Sequence, residues 1–216
     1  GLFGAAGAVS RGANPQTASR PFDRSRDGLV MGSGAGMLVV EELASAQERG
    51  APVLAEIVGW HENADAKYET EPHPQSVIRC LKAAVLAARA RTGLAAAQNI
   101  AINAHATSTV VGDAAEMEAI AGAFKPEDLT GIVSTKGATG HMLGAAGAAE
   151  AIFSIKTLRQ NKIPPNLNLQ DPLEEARGYE HLLDRSKPLE GRVELSVNSS
   201  FGFGGNNAIT VFALPG

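Results

Sequence analysis

The chain has 216 residues, 44% of them hydrophobic and 19% charged, with a formal net charge of -4. That size suits one large α/β domain or slightly more, and the mild acidity gives no general electrostatic case for nucleic-acid binding. A single cysteine excludes an internal disulfide and a cysteine-rich zinc site, and no apolar run approaches transmembrane length.

Residues 1–26 are rich in Gly, Ala, Ser and Arg, with turn signals at Asn14-Pro15 and Arg20-Pro21. They read as the end of a helix followed by an irregular surface segment. Residues 28–32 and 36–41 read as two short strands. The glycines between them (Gly32, Gly34, Gly36) imitate a dinucleotide loop, but a β-type run follows rather than a helix start. Tight turning or close backbone packing is the better account. Residues 42–49 predict a short helix stopped by Gly50. A strand follows at about 53–60, then a loop over 61–75 that contains Pro72 and Pro74. Ser76 is expected to cap a strong helix with Val77, Leu81, Ala84, Val85 and Ala88 on one face, ended by Gly93.

Two apolar runs, Ile100-Ala101-Ile102 and Gly131-Ile132-Val133, each lead into a Gly/Thr/Ser loop that carries one histidine. The first loop is Asn103-Ala104-His105-Ala106-Thr107-Ser108-Thr109. The second is Ser134-Thr135-Lys136-Gly137-Ala138-Thr139-Gly140-His141. Helices are expected after both. One spans 113–124 with Met117, Ile120 and Ala121 inward. The other spans 143–159, where Gly144, Ala145, Gly147 and Ala148 invite close approach of another element. Residues 161–169, with Pro164-Pro165, read as extended. Residues 193–197 and 208–212 read as final strands around Phe201-Gly202-Phe203-Gly204-Gly205. Strands alternating with helices argue an α/β fold.

Polar loops between strand ends and helices are where α/β proteins usually place chemistry. A lone loop histidine is more often structural, but two in parallel settings suggest a paired imidazole site. Helix-start N–H groups beyond His141 disfavour an imidazolium. A neutral imidazole of fixed tautomer can donate its N–H to a carbonyl or a developing enolate oxygen. Lys136 would lower a histidine pKa in the same direction; its plainer reading is a solvated loop lysine. The hydroxyls of Thr107 and Thr109 face one side of an extended loop, either holding a polar ligand chain or satisfying loop backbone. Phe201 and Phe203 either cover an apolar cavity or are core residues of a glycine-rich turn. No carboxylate or cysteine ligand set accompanies His105 and His141 at metal-ligand spacing. Cys80 lies inside a predicted helix with nothing to favour a thiolate, which makes it structural and leaves the obvious nucleophile missing.

Taken together these motifs resemble the β-ketoacyl-acyl-carrier-protein synthases, the condensing enzymes of fatty-acid synthesis with the thiolase fold, and most closely their elongating type. The resemblance rests on Ser19-Arg20-Pro21-Phe22-Asp23, Arg26-Asp27-Gly28, Gly34-Ala35-Gly36, both histidine loops, Gly112-Asp113, Leu143-Gly144-Ala145-Ala146-Gly147, Pro164-Pro165, Asn168-Leu169 and Ser200 to Gly205. It implies an α/β, thiolase-like layered fold: residues 1–53 as the tail of the amino-terminal half and 54–216 as the carboxy-terminal half. It further implies that His105 and His141 hold a malonyl thioester carbonyl and promote decarboxylation, with Lys136 supporting the second histidine. Thr107 and Thr109 would contact a pantetheine arm. Phe203 would gate the pocket from the glycine loop, with Phe201 close by. Asn103 and Glu150 match positions around a buried cation or polar network.

Two departures stand out. The family's catalytic cysteine belongs to a helix start upstream of the region this chain resembles, and Asn198-Ser199-Ser200 replaces the commoner Asn-Ser before the loop. The expectation is therefore the histidine-bearing half of a decarboxylating Claisen condensing enzyme. It would work without redox cofactor or metal, serve acyl carrier protein, and need the missing half or a second chain. When complete it would form a homodimer, with neither nucleic acid nor membrane as partner. The rival readings are a non-catalytic chain-length-type subunit, a polyketide-type ketosynthase fragment and a purely structural thiolase-fold fragment. The chain does not open with Met, so any targeting segment would be lost from view; a cytoplasmic location is expected, and an organelle is compatible.

Overall fold

Alternation of side chains along five strands decides how this chain packs. A computed structural model describes residues 7–66, 73–94, 99–184, 189 and 191–216. The elements are α1 (Pro15–Ala18), α2 (Leu43–Glu48), β1 (Glu56–Ala64), α3 (Pro74–Thr92), β2 (Ile100–Asn103), α4 (Val110–Ala123), β3 (Leu129–Val133), α5 (Lys136–Thr139), α6 (Ala146–Gln160), α7 (Glu180–Leu183), β4 (Leu195–Gly202) and β5 (Asn206–Ala213). The strands form one sheet in the order β1-β5-β4-β2-β3. Strand β2 runs parallel to both β3 and β4, while β5 is antiparallel to β4 and β1. The parallel pairs need crossovers, which α4 and α6 supply.

Successive strand residues face opposite sides of a sheet. Ile100, Ile102, Val197, Ile209 and Val211 therefore join one core with Val77, Leu81 and Val85 of α3 and Met117 and Ile120 of α4. Their neighbours Ala101, Val133 and Phe212 join a second core with Ala151 and Leu158 of α6. The sheet lies between an α3/α4 layer and α6. Helix α3 comes close to β1 because Gly59 has no side chain: a Cβ there would stand 2.8 Å from Ala88 N and 3.0 Å from Ala88 Cβ.

Several expected boundaries shift for identifiable reasons. Residues 28–32 and 36–41 are not strands. The first forms only isolated bridges, Val9–Leu29 and Met31–His141, and the second pairs with no strand among the described residues. The β-type run there leaves Met37, Val39 and Val40 exposed. The glycines before it serve close packing: a Cβ at Gly36 would lie 2.9 Å from Ala149 N, and at Gly32 or Gly34 it would collide with Thr139 O or Met142 Sδ. Strand β1 reaches Ala64 because residues 61–64 pair with β5, so the expected 61–75 loop is shorter, and its centre lies outside the described residues. Helix α3 starts at Pro74 rather than behind a Ser76 cap, with proline in the first turn where its missing N–H costs nothing. Helix α4 starts three residues early, at Val110, and buries Ala119 rather than Ala121. Helix α6 begins at Ala146, after a separate 3-10 turn at Leu143–Ala145. Strand β4 takes in Phe201 and Gly202, so the glycine loop contracts to a tight turn in which Gly204 and Gly205 have φ of 86° and 75°. The beginning of the 1–26 segment lies outside the described residues, and its remainder holds only the single turn α1. Among the described residues no helix is long and apolar enough to cross a membrane.

Gly59→Ala should destabilise the fold by about 1–3 kcal/mol through overpacking against α3. Leu86→Ala, on the exposed side of the same helix, should stay within about 0.5 kcal/mol. Urea unfolding of both variants checks the contrast.

Candidate active site

The parallel strands β2 and β3 end side by side, and each releases one histidine loop. Their last backbone link is the Ala104 N–H to Val133 O bond, 2.7 Å. Beyond it the loops diverge, yet the imidazoles of His105 and His141 meet edge to face with ring centroids 5.4 Å apart. Phe201, at the end of β4, places its ring 5.3 Å from that of His105.

Backbone capture holds the His105 loop. The Glu116 carboxylate on α4 accepts the His105 N–H at 2.9 Å and the Ala106 N–H at 2.7 Å. One turn earlier on the same helix, Asp113 accepts the Phe22 N–H at 2.9 Å and lies 3.9 Å from Arg26 Nε. The Arg26 guanidinium donates to Thr109 O and Val110 O, at 3.0 and 2.6 Å. Ser108 sits at φ 70°, where its hydroxyl accepts the Arg20 N–H and its carbonyl accepts the Gly28 N–H. That strained position is over-determined by its contacts, as strain at a site requires. Thr107 and Thr109 bring their hydroxyls within 3.1 Å of each other, on one side of the loop as the alternation implied.

The His141 loop is held by the segment that looked like a strand. His141 N–H donates to Val30 O at 2.7 Å, and Gly32 N–H donates to His141 O at 3.0 Å. Gly140, at φ 66°, turns the chain into that clamp; its position favours a residue without Cβ. Lys136 is not a solvated loop lysine. It is 1% exposed, and its Nζ lies 2.5 Å from Oε1 of Glu150, equally buried on α6. Ser19 Oγ donates to Lys136 O at 2.8 Å, and Asn103 Nδ2 donates to Glu150 O at 3.2 Å.

Electrostatics keep both imidazoles neutral. Burial, then the Lys136 cation and then His141 hold His105 well below the usual histidine range. Burial and then Lys136 lower His141 to about 4. The direction is the one expected from a helix start, but the causes are burial and Lys136, and the helix beyond His141 begins only at Ala146. Both Nδ1 atoms are buried without a hydrogen-bond partner among the described residues, so none of those residues sets a tautomer through Nδ1. Burial pushes Glu116 up to about 8 against the pull of its two N–H donors and Lys136, and Asp113 up to about 6 against the Phe22 N–H and Arg26. Burial likewise raises Glu150, against Lys136.

The structure thus brings together His105, His141, Lys136, Glu150, Asn103 and Phe201, with the threonine pair on the first loop. Phe203 is instead carried out to the tip of the β4–β5 turn, 60% exposed. The turn is rooted by Asp65, whose N–H donates to Gly205 O at 2.8 Å and whose carboxylate accepts Asn207 Nδ2 at 2.6 Å. Cys80 lies in α3 with its thiol pushed up to about 11, chiefly by burial. Among the described residues no three His, Cys, Asp or Glu side chains converge as a ligand set. Sequence reasoning missed Glu116, and it quoted Asp113, Arg26 and Ser19 only as motif residues without a role. For the two acids a signal existed: Asp113, Glu116, Met117 and Ile120 share one helix face, so the carboxylates had to be buried beside apolar residues.

Comparisons with known proteins identify the family and the fold. The family model described as the C-terminal domain of beta-ketoacyl synthase matches residues 54–170, and that of the N-terminal domain matches residues 1–46. The chloroplastic 3-oxoacyl-[acyl-carrier-protein] synthase II of Arabidopsis thaliana is 42% identical over 99% of this chain, which covers 39% of that protein. A beta-ketoacyl synthase structure from Burkholderia phymatum STM815 superposes on 100% of this chain and 51% of its own, with TM-score 0.85 and 36% identity. The ishigamide ketosynthase/chain length factor superposes on 100% of this chain and 50% of its own, with TM-score 0.84 and 31% identity. The chain therefore spans about half the length, or less, of these relatives, and its fold is one half of a thiolase-like architecture with the tail of the other. By its sequence, its sheet and its strand-end loops, it belongs to the beta-ketoacyl synthase family.

Proposed function

We propose that this chain supplies the two-histidine part of the site for a decarboxylating Claisen condensation in fatty-acid biosynthesis, giving 3-oxoacyl-acyl carrier protein. The observation that carries the reading is the pair of neutral imidazoles, 5.4 Å apart beside the buried Lys136–Glu150 ion pair. In the complete protein a cysteine from the remaining half holds the acyl group as a thioester, since the thiol of Cys80 is buried and hard to ionise. A malonyl thioester binds with its carbonyl oxygen between His105 and His141. The bond to the carboxylate breaks, CO2 leaves, and the electron pair moves onto that oxygen as an enolate. Two imidazole N–H donors stabilise it in a site shielded from water. The enolate carbon then attacks the acyl thioester and expels the cysteine thiolate.

Lys136 keeps both imidazoles uncharged through its field, and Asn103 and Glu150 form the polar network that backs it. Thr107 and Thr109 hold the pantetheine arm of the carrier protein. Phe201 borders the acyl pocket, and Phe203 gates it from the turn. The chain divides between residues 53 and 54 into an amino-terminal tail and the carboxy-terminal half, in line with the family matches on either side. The complete protein is a homodimer. Met37, 89% exposed, and Trp60, 65% exposed, offer apolar surface on which the remaining half packs. A chain-length-type subunit shares this fold, but a non-catalytic role gives no reason for two half-buried imidazoles held neutral by desolvation and a lysine.

With the complete protein, His105→Ala and His141→Ala should each lower kcat for malonyl-carrier-protein decarboxylation about 10²–10³-fold, followed by CO2 release. Wild-type rates from both variants would sink the proposal. A histidine at about 4 stays neutral above that pH, so wild-type kcat should show no acid limb near 6.5 and should fall only towards pH 4. Lys136→Met removes a cation that lowers both imidazoles, so its acid limb should move upward. It also leaves Glu150 unpaired, at a stability cost of about 3–5 kcal/mol, which Glu150→Gln in the same protein should partly restore. A pH–rate series with calorimetry on the same variants reads both effects.

A further inference from the structure

Asn166 lies outside both histidine loops, in the extended segment that follows α6, and is only 8% exposed. Its carboxamide is fully engaged. Oδ1 accepts the Ser134 N–H at 2.8 Å, and Nδ2 donates to Ile132 O at 2.8 Å and Leu183 O at 3.1 Å. Among the described residues β3 is the last strand of the sheet, so its outer edge has no neighbouring strand there to pair with. In a parallel ladder, one residue gives its N–H to one carbonyl and takes the N–H two positions later. The Asn166 side chain reproduces that pattern opposite Val133, and it does so where β3 gives way to the Lys136 loop.

Ser134 carries the constraint across to the other loop. Its hydroxyl donates to Ala106 O at 2.7 Å and accepts the Lys136 N–H at 3.4 Å. The sheet's own bonding between the two loops stops at Ala104 and Val133. Ser134 therefore extends the pairing to the residue just after His105, whose N–H is also held by Glu116. A shift of Ser134 would be felt at Ala106 and at Lys136 together.

We propose that Asn166 is a positioning residue for the paired imidazoles: by ending the β3 edge it fixes Ser134, whose hydroxyl sets the His105 loop against the Lys136–His141 loop. This rests on the condensing-enzyme reading for its kinetic arm alone. Asn166→Ala and Ser134→Ala should loosen the loops and admit water, so the ring titrations of His105 and His141 should move up towards the ordinary histidine range. These are read by 15N-detected imidazole NMR on the full-length protein, which needs no activity. Decarboxylation kcat should fall roughly tenfold with KM changed by less than about twofold, as expected for misplacement without lost binding. The double variant should be no worse than the more severe single one, since both break the same link. Ser134→Thr keeps the hydroxyl and should retain near-wild-type values.

Unchanged ring titrations in a folded Asn166→Ala protein would overturn the proposal, as would additive kcat losses. If Asn166→Ala does not fold, Asn166→Asp keeps the acceptor for Ser134 N–H and takes its place, with Ser134→Ala deciding independently. A wild-type protein without decarboxylase activity would defeat the functional reading, while the ring titrations would still decide this one.

Discussion

A lysine ammonium in a dry interior has to be neutralised close by, and in this chain the site is built around meeting that demand. Lys136 leaves the end of β3 and finds its counter-charge on α6, in the layer packed against one face of the sheet. The pair is costly to desolvate, so its retention is poor evidence of a stability role. What it does is place a fixed positive field beside two imidazoles that are already disfavoured as cations by burial. Each loop is then pinned by backbone bonds to side chains from elsewhere: Glu116 on one, Asn166 and Ser19 on the other. The surrounding chain is held through its amides and carbonyls rather than through the imidazoles, whose Nδ1 atoms have no hydrogen-bond partner among the described residues.

Residues 19–32 have a larger part in this than their irregular structure suggests. They contain little regular structure, yet they contact both loops: Arg20, Phe22, Arg26 and Gly28 reach the first loop or its helix, and Val30 and Gly32 the second. A strap of this kind fixes the distance between two loops more directly than the sheet beneath them. Its continuation stays close to the same region, since Gly32, Gly34 and Gly36 pass against the backbone or side chains of 139–149 with no room for a Cβ.

The sequence made the two histidine loops legible because the physics there is local. An apolar strand, a polar Gly/Thr loop and a following helix repeat twice, and parallel strands bring such loops to the same edge. The amphipathic face of α3 was legible for the same reason, and Val77, Leu81, Ala84, Val85 and Ala88 are all buried as the periodicity requires. The run 37–40 misled because β propensity measures fit to a pleated neighbour, and no neighbouring strand is present among the described residues. Asn166 was hidden for a different reason. Its partners at 132, 134 and 183 are distant in sequence and are all backbone groups, which no side-chain pattern announces. Lys136 was ambiguous between solvent and interior until Glu150, fourteen residues on, was seen to face it.

The burial of Cys80 has a practical consequence. Its sulfur faces the carbonyls of His61 and Asn207 inside the α3–β1 contact, and ionisation is suppressed there. Thiol-directed alkylating reagents act on the thiolate, so they will pass this position by while the fold is intact. The chain is in effect a silent background for such chemistry. Any rapid labelling in an assembly that contains it reports on a cysteine contributed from outside these 216 residues, and slow labelling of Cys80 itself becomes a clock for the opening of the sheet.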